Sequence, residues 1–234
     1  METVFDLLGL ARRHMHRILE YLPFLWLHFA LLLLGWYWLR KQMLLRFPTA
    51  LGAAWDIRFQ IYQMLLLVMM VLFCFVLTMT LLLNDRIVLS LCNDFVFLAG
   101  VLLTPRRAGW VWMTALLCTI AREWLAVGDL FWCFYMSLDV TIYCASGMLV
   151  KSMLEVRIGA YTWQDLIFIA GYKLLASLGS AALWLLLGQD TLISGIDLLL
   201  FRIAGWPLVS LPAIILFLLM MNGDYQLHEG RRQY

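Results

Sequence analysis

Charge is scarce in this chain. Asp, Glu, Lys and Arg make up 14% of its 234 residues and hydrophobic residues 64%, against about 25% and about 45–50% in soluble domains. So few charges cannot cover a water-soluble globule of this length. Intrinsic disorder is excluded by the same scarcity together with 15% aromatic residues. A net charge of +2, spread along the chain, gives no basis for binding nucleic acid. Proline is sparse too, with five residues, and only the stretch holding Pro207 and Pro212 reads as a helix broken by it.

Motifs that carry chemistry are also missing. The five cysteines (Cys74, Cys92, Cys118, Cys133, Cys144) stand singly in apolar surroundings, with no Cys-x-x-Cys. They read as small buried hydrophobes, not metal ligands. Of the four histidines only His28 falls in an apolar run. There is no Walker loop, Gly-rich dinucleotide turn, His-Glu-x-x-His, Gly-x-Ser-x-Gly or Asp-x-x-Asp. The expectation is a non-enzyme without metal or cofactor.

What the chain has in abundance is long apolar runs. A membrane span needs about 20 such residues, and seven segments qualify: 21–39, 61–83, 87–104, 109–127, 130–150, 166–187 and 198–221. These predict an all-α polytopic transmembrane bundle over 21–221, followed by a tail at 222–234. Residues 4–19 carry Leu7, Leu8, Ala11, Met15, Ile18 and Leu19 on one stripe, with Arg12, Arg13 and Arg17 elsewhere. That pattern predicts an amphipathic, surface-lying N-terminal segment over 1–20. A basic helix of this kind prefers the cytoplasmic leaflet, whereas seven crossings put it outside, so segment 21–39 either crosses or stops short. No small-residue cleavage site follows that segment.

Orientation follows the basic residues. With the tail cytoplasmic, the inner side collects Arg40, Lys41, Arg46, Arg58, Arg106, Arg107, Lys151, Arg157, Arg231 and Arg232. The outer side keeps Arg12, Arg13, Arg17 and Arg86.

Six ionisable residues fall inside the apolar segments: Asp94, Arg122, Glu123, Asp139, Lys173 and Arg202. An unpaired charge at a helix centre costs at least about 2.5–3.5 kcal/mol, so such residues face the bundle interior and find partners. At about 1.5 Å per residue all but Lys173 lie in the outer half. Tyr135, Asp139, Tyr143 and Ser146 share one face of their segment, Lys173, Ser177 and Ser180 one face of theirs, and Ser90 and Asp94 a third, with Asn93 alongside. Ala176, Ser177, Gly179, Ser180 and Ala181 let another helix approach closely. A ligand-binding pocket lined by Asp94, Arg122, Asp139, Tyr143, Lys173 and Arg202 is the functional expectation, with Asp139–Lys173 as its ion pair. The bland alternatives are snorkelling of Arg122, Glu123 and Arg202, and a purely structural cluster of Asp94, Asp139 and Lys173. Arg202 and Trp206, four apart, are spaced for a cation–π pair.

From Ile87 to Met221 the order of features resembles the membrane-associated sensor (MASE-type) domain. Three groups of stretches carry the likeness: Leu98-Ala-Gly-Val-Leu-Leu-Thr-Pro-Arg-Arg-Ala-Gly-Trp110; Leu138-Asp-Val-Thr-Ile-Tyr-Cys-Ala-Ser-Gly-Met-Leu-Val-Lys151; and Trp163-Gln-Asp165 leading to Ser180-Ala-Ala-Leu-Trp-Leu-Leu-Leu-Gly188 and Leu208-Val-Ser-Leu-Pro212. The family's Trp-x-Pro-type entry is replaced by Asn84-Asp85-Arg86. In bacteria such domains precede histidine kinase or diguanylate cyclase modules. The resemblance implies a multi-pass inner-membrane sensor or docking module, with a cytoplasmic C-terminus and no output domain in this chain. It would sense a solute or membrane partner and act through another membrane or cytoplasmic signalling protein. A small secondary transporter or channel subunit, using the Asp/Lys/Arg cluster, is the competing expectation.

Overall fold

The computed structural model describes residues 53–81, 87–126, 128–154 and 162–187, with scattered helical positions within 9–42 and 199–219. It is all-α. The five helices with defined bounds are α1 (Ala53–Leu81), α2 (Ile87–Leu102), α3 (Pro105–Ala126), α4 (Leu130–Leu154) and α5 (Trp163–Leu187). Each coincides with one predicted apolar segment, though α1 starts eight residues earlier than 61 and α4 runs four residues past 150. Most of the segments 21–39 and 198–221, and of the N-terminal stripe and the tail, lies outside the described residues.

The helix ends follow from local chemistry. Pro105 drives Thr104 out of helical geometry and opens α3, where its missing N–H is not needed. The Thr104 carbonyl then accepts from Arg107 N at 2.9 Å and Ala108 N at 2.8 Å. Gly128 leaves α3 with φ at 68°, a left-handed conformation that favours glycine. Asp129 caps α4, its Oδ1 accepting from Phe131 N at 2.9 Å. Thr162 and Asp165 form a reciprocal capping box: Thr162 N donates to Asp165 Oδ2 at 2.7 Å, and Asp165 N to Thr162 Oγ1 at 3.3 Å. This box starts α5 three residues ahead of the apolar run at 166.

Contacts settle the helix directions. From α2 to α4 the Asn93–Asp139 and Lys151–Leu103 hydrogen bonds span 46 and 48 residues. A nearly constant separation means the two helices run parallel. From α4 to α5 the separations shrink from 45 (Tyr135–Ser180) through 34 (Tyr143–Ser177) to 19 (Tyr172–Met153), so these two run antiparallel. α2 is buried on every side from Cys92 to Leu102 and packs on α1, α3 and α4, while α5 packs principally on α4.

The tightest contact is between α2 and α4. A Cβ on Gly100 would come within 2.5 Å of the Cys144 carbonyl oxygen, and one on Gly147 would overlap the Phe97 carbonyl oxygen. Only glycine lets the two backbones approach this closely. At the far end α4 and α5 are joined by aromatic rings. Trp132 meets Trp184 edge-on with centroids 4.8 Å apart, and Tyr135 lies 4.5 Å from Trp184.

Large apolar side chains are exposed around the apolar core, while ionisable ones are buried within it. Leu186 is 82% exposed and Leu130 74%, whereas Asp94 and Lys173 are 0% and 1% exposed. Among the described residues two helices, α4 and α5, are long and apolar enough to cross a membrane. The apolar stretches 60–76 of α1 and 92–102 of α2 are shorter. All five cysteines are free of disulfides, and all but the half-buried Cys118 are buried.

The glycine contact predicts a contrast. Gly147→Ala and Gly100→Ala each push backbone against backbone and destabilise by about 1–3 kcal/mol. Gly109→Ala and Gly179→Ala, where a Cβ meets nothing within 4 Å, are neutral or stabilising by up to about 1 kcal/mol. Thermal unfolding in detergent, read by loss of the monodisperse peak, checks all four variants.

Candidate functional site

Asn93, Asp94, Asp139, Lys173, Ser177, Ser180 and Ser210, all buried, gather in one layer between α2, α4, α5 and the segment holding Ser210. Asn93 and Asp94 are consecutive on α2, so their side chains leave the helix about 100° apart. That angle sends them to different neighbours. Asn93 Nδ2 donates to Asp139 Oδ2 of α4 at 2.8 Å, while Asp94 Oδ1 lies 2.5 Å from Lys173 Nζ of α5.

Lys173 is the residue that ties the layer together. Its ammonium is 2.5 Å from Asp94 and donates to Ser210 Oγ at 2.7 Å. It also lies 5.3 Å from the centre of the Tyr143 ring on α4, within cation–π range. α4 is the main packing partner of α5, so the lysine stem passes over Tyr143 to reach α2. Beside it, Tyr143 Oη and Ser177 Oγ share a hydrogen bond of 2.8 Å.

Asp139 is held by a second group. Its Oδ2 accepts from Asn93, and its Oδ1 accepts from Ser180 Oγ. The Ser180 carbonyl accepts from Tyr135 Oη at 3.3 Å. The predicted stripes on α4 (Tyr135, Asp139, Tyr143) and α5 (Lys173, Ser177, Ser180) therefore face each other and interlock. Ser146, the fourth member expected on α4, is only half-buried and stands outside the network. The Ser90 side chain and all of Arg202 and Trp206 lie outside the described residues.

One expectation is corrected. Lys173 pairs with Asp94, not with Asp139. Both aspartates sit on faces turned toward the interior, but only Asp94 occupies the turn of α2 that the lysine reaches across Tyr143. Asp139 is met instead by an amide and a hydroxyl. Snorkelling is also corrected for Arg122 and Glu123. They are 8% and 3% exposed and form an ion pair with each other on the last turns of α3.

Sequence reading overlooked four buried polar side chains: Ser210, which receives the Lys173 ammonium, Thr119 of α3, and Tyr62 and Gln63 of α1. Gln63 carries the clearest signal, an amide set inside an otherwise apolar run. Ser210 stands between Pro207 and Pro212, where a proline-disturbed helix offers polar groups. Among the described residues no group of three or more His, Cys, Asp or Glu could hold a metal ion. The layer's chemistry is that of opposed charges and hydroxyls, which can hold or relay a proton or fix helix register.

The chain matches no family model, no curated protein and no solved structure.

A buried pair gains little over an apolar pair of the same shape, yet losing one partner strands a charge. Lys173→Met and Asp94→Asn should each destabilise by about 3–5 kcal/mol. The double variant should recover a substantial part of the summed loss, a coupling above about 1 kcal/mol. The cycle of Lys173→Met with Asp139→Asn should show the smaller coupling of residues that share neighbours without touching. Detergent melting curves of the six proteins check both cycles.

Proposed function

We propose that the chain is a polytopic integral membrane protein of about seven crossings, acting as a non-enzymatic signalling or docking module. Membrane placement is supported by the large apolar side chains exposed on the outside and the ionisable ones buried inside. The alternating helix directions put Arg106, Arg107 and Lys151 at one end of the bundle, which under the positive-inside rule is the cytoplasmic end.

The observation that carries the functional reading is the state of the polar layer. Asp94, Asp139, Tyr143 and Lys173 are each engaged by protein groups of neighbouring segments. A catalytic centre keeps reactive groups available to substrate, whereas this layer directs its groups at other helices. Such a matched layer sets how helices sit against one another, and a change in it would alter their arrangement. The MASE-type resemblance points the same way, toward a module that senses a solute or membrane partner and passes the change to another protein. A second reading, a small transporter or channel subunit, has one observation in its favour: Asp94 and Lys173 form an ion pair deep among apolar helices, a feature of proton and ion pathways.

The two readings separate experimentally. A signalling module co-purifies with a stoichiometric partner from native membranes, its deletion alters that partner's output, and Lys173→Met abolishes the response while leaving partner binding intact. Isolation without a partner, together with unchanged signalling on deletion, removes the reading. Flux into proteoliposomes under an ion or proton gradient, lost in Asp94→Asn, establishes the transporter instead.

A further inference from the structure

We infer that the end of the bundle formed by the α2–α3 turn and the last turn of α4 binds an anionic phospholipid. Three cations meet there. Lys151 Nζ donates to the Leu103 carbonyl at 2.6 Å, Arg106 stands three residues further on and is exposed, and Arg107 reaches across to Gln60 of α1. Among the described residues no carboxylate pairs with any of the three. An ammonium has three donors, of which Leu103 takes one, and a guanidinium has five. Positive charge and donors are thus concentrated where no described residue supplies a counter-charge.

The surface continuing from Arg106 completes the site. Trp110, Met113, Leu117 and Ile120 follow it on α3 at steps of four, three, four and three residues, and all are exposed. They form a single stripe running about 15 Å along the helix. Cations heading an apolar stripe match the two halves of one molecule, a phosphate-bearing headgroup and its acyl chain. A free phosphate leaves the stripe unused. An acidic peptide in the cytoplasm leaves Trp110 to Ile120 uncovered. A zwitterionic lipid brings its own cation to the same place and gains less from Arg106 and Lys151.

This site rests on the membrane placement proposed above, and not on the signalling role. Resistance of the chain to alkaline extraction from membranes tests that placement by itself. The site is tested on the full chain in mild detergent, offered dioleoyl phosphatidylglycerol or dioleoyl phosphatidylcholine, with bound lipid counted by native mass spectrometry. Phosphatidylglycerol should be retained preferentially. Arg106→Gln should lower that retention about fivefold, the worth of one surface cation, while Arg106→Lys keeps most of it. Trp110→Ala should lower retention of both lipids. Arg231→Gln, which removes a charge from the tail, should change nothing, and excess inorganic phosphate should not displace the lipid. Equal retention of the two lipids, an unaffected Arg106→Gln variant, an equal loss in Arg231→Gln, or displacement by phosphate each overturns the site.

Discussion

A charge withdrawn from water must find its counter-charge in the protein, and that constraint sets the middle of this bundle. Lys173 is 1% exposed, and Asp94 meets it across the layer. The two residues belong to helices that do not pack mainly on each other, so α4 has to lie between them at a level that lets the lysine stem pass. Tyr143 occupies that level, offering a ring face to the ammonium and a hydroxyl to Ser177. One ion pair thereby constrains the relative heights of three helices. Ser210 extends the constraint to a fourth segment.

The apolar contacts are arranged around this layer in a way that makes it consequential. α2 and α4 touch backbone to backbone at Gly100 and Gly147, a contact that admits no sliding without a clash. Lys151 binds the end of α2 to α4 once more. Among the described residues α5 has no comparable backbone lock. Aromatic rings hold it to α4 near one end, and the polar layer holds it near mid-length. Were the layer disturbed, α5 would be the element released and the α2–α4 pair the frame that stays.

Much of this arrangement is legible in the sequence, and the remainder is hidden for identifiable reasons. Helical periodicity placed Tyr135, Asp139 and Tyr143 on one face and Lys173, Ser177 and Ser180 on another, and those faces do meet. Periodicity names a face but not the helix opposite it, which is why Lys173 looked like the partner of Asp139, one segment away, when its partner stands two segments further back on α2. Asn93 and Asp94 mislead in a related way. They look like one polar spot, yet one turns to α4 and the other to α5. The start of α5 was readable as Thr-x-x-Asp at 162–165, but counting apolar residues begins only at Leu166. Arg122 and Glu123 looked bound for the surface because they stand near the end of an apolar run. Neighbouring opposite charges can pair with each other and stay inside, and here they do.

The position of Asp139 shows why the layer is more than one salt bridge. If burying Lys173 were the sole requirement, Asp94 would suffice and a second carboxylate would only add repulsion. Asp139 is instead engaged by Asn93 and Ser180, neutral donors from the two helices on either side of α4. These hydrogen bonds hold its carboxyl group between α2 and α5, apart from the Asp94–Lys173 pair. It couples α4 to α2 and α5 at the level where Asp94 and Lys173 couple α2 to α5 directly. Each of the three helices is therefore joined to both others by charge-assisted contacts. A triangle of that kind holds its geometry as a unit, so disturbing any one corner is felt by the other two.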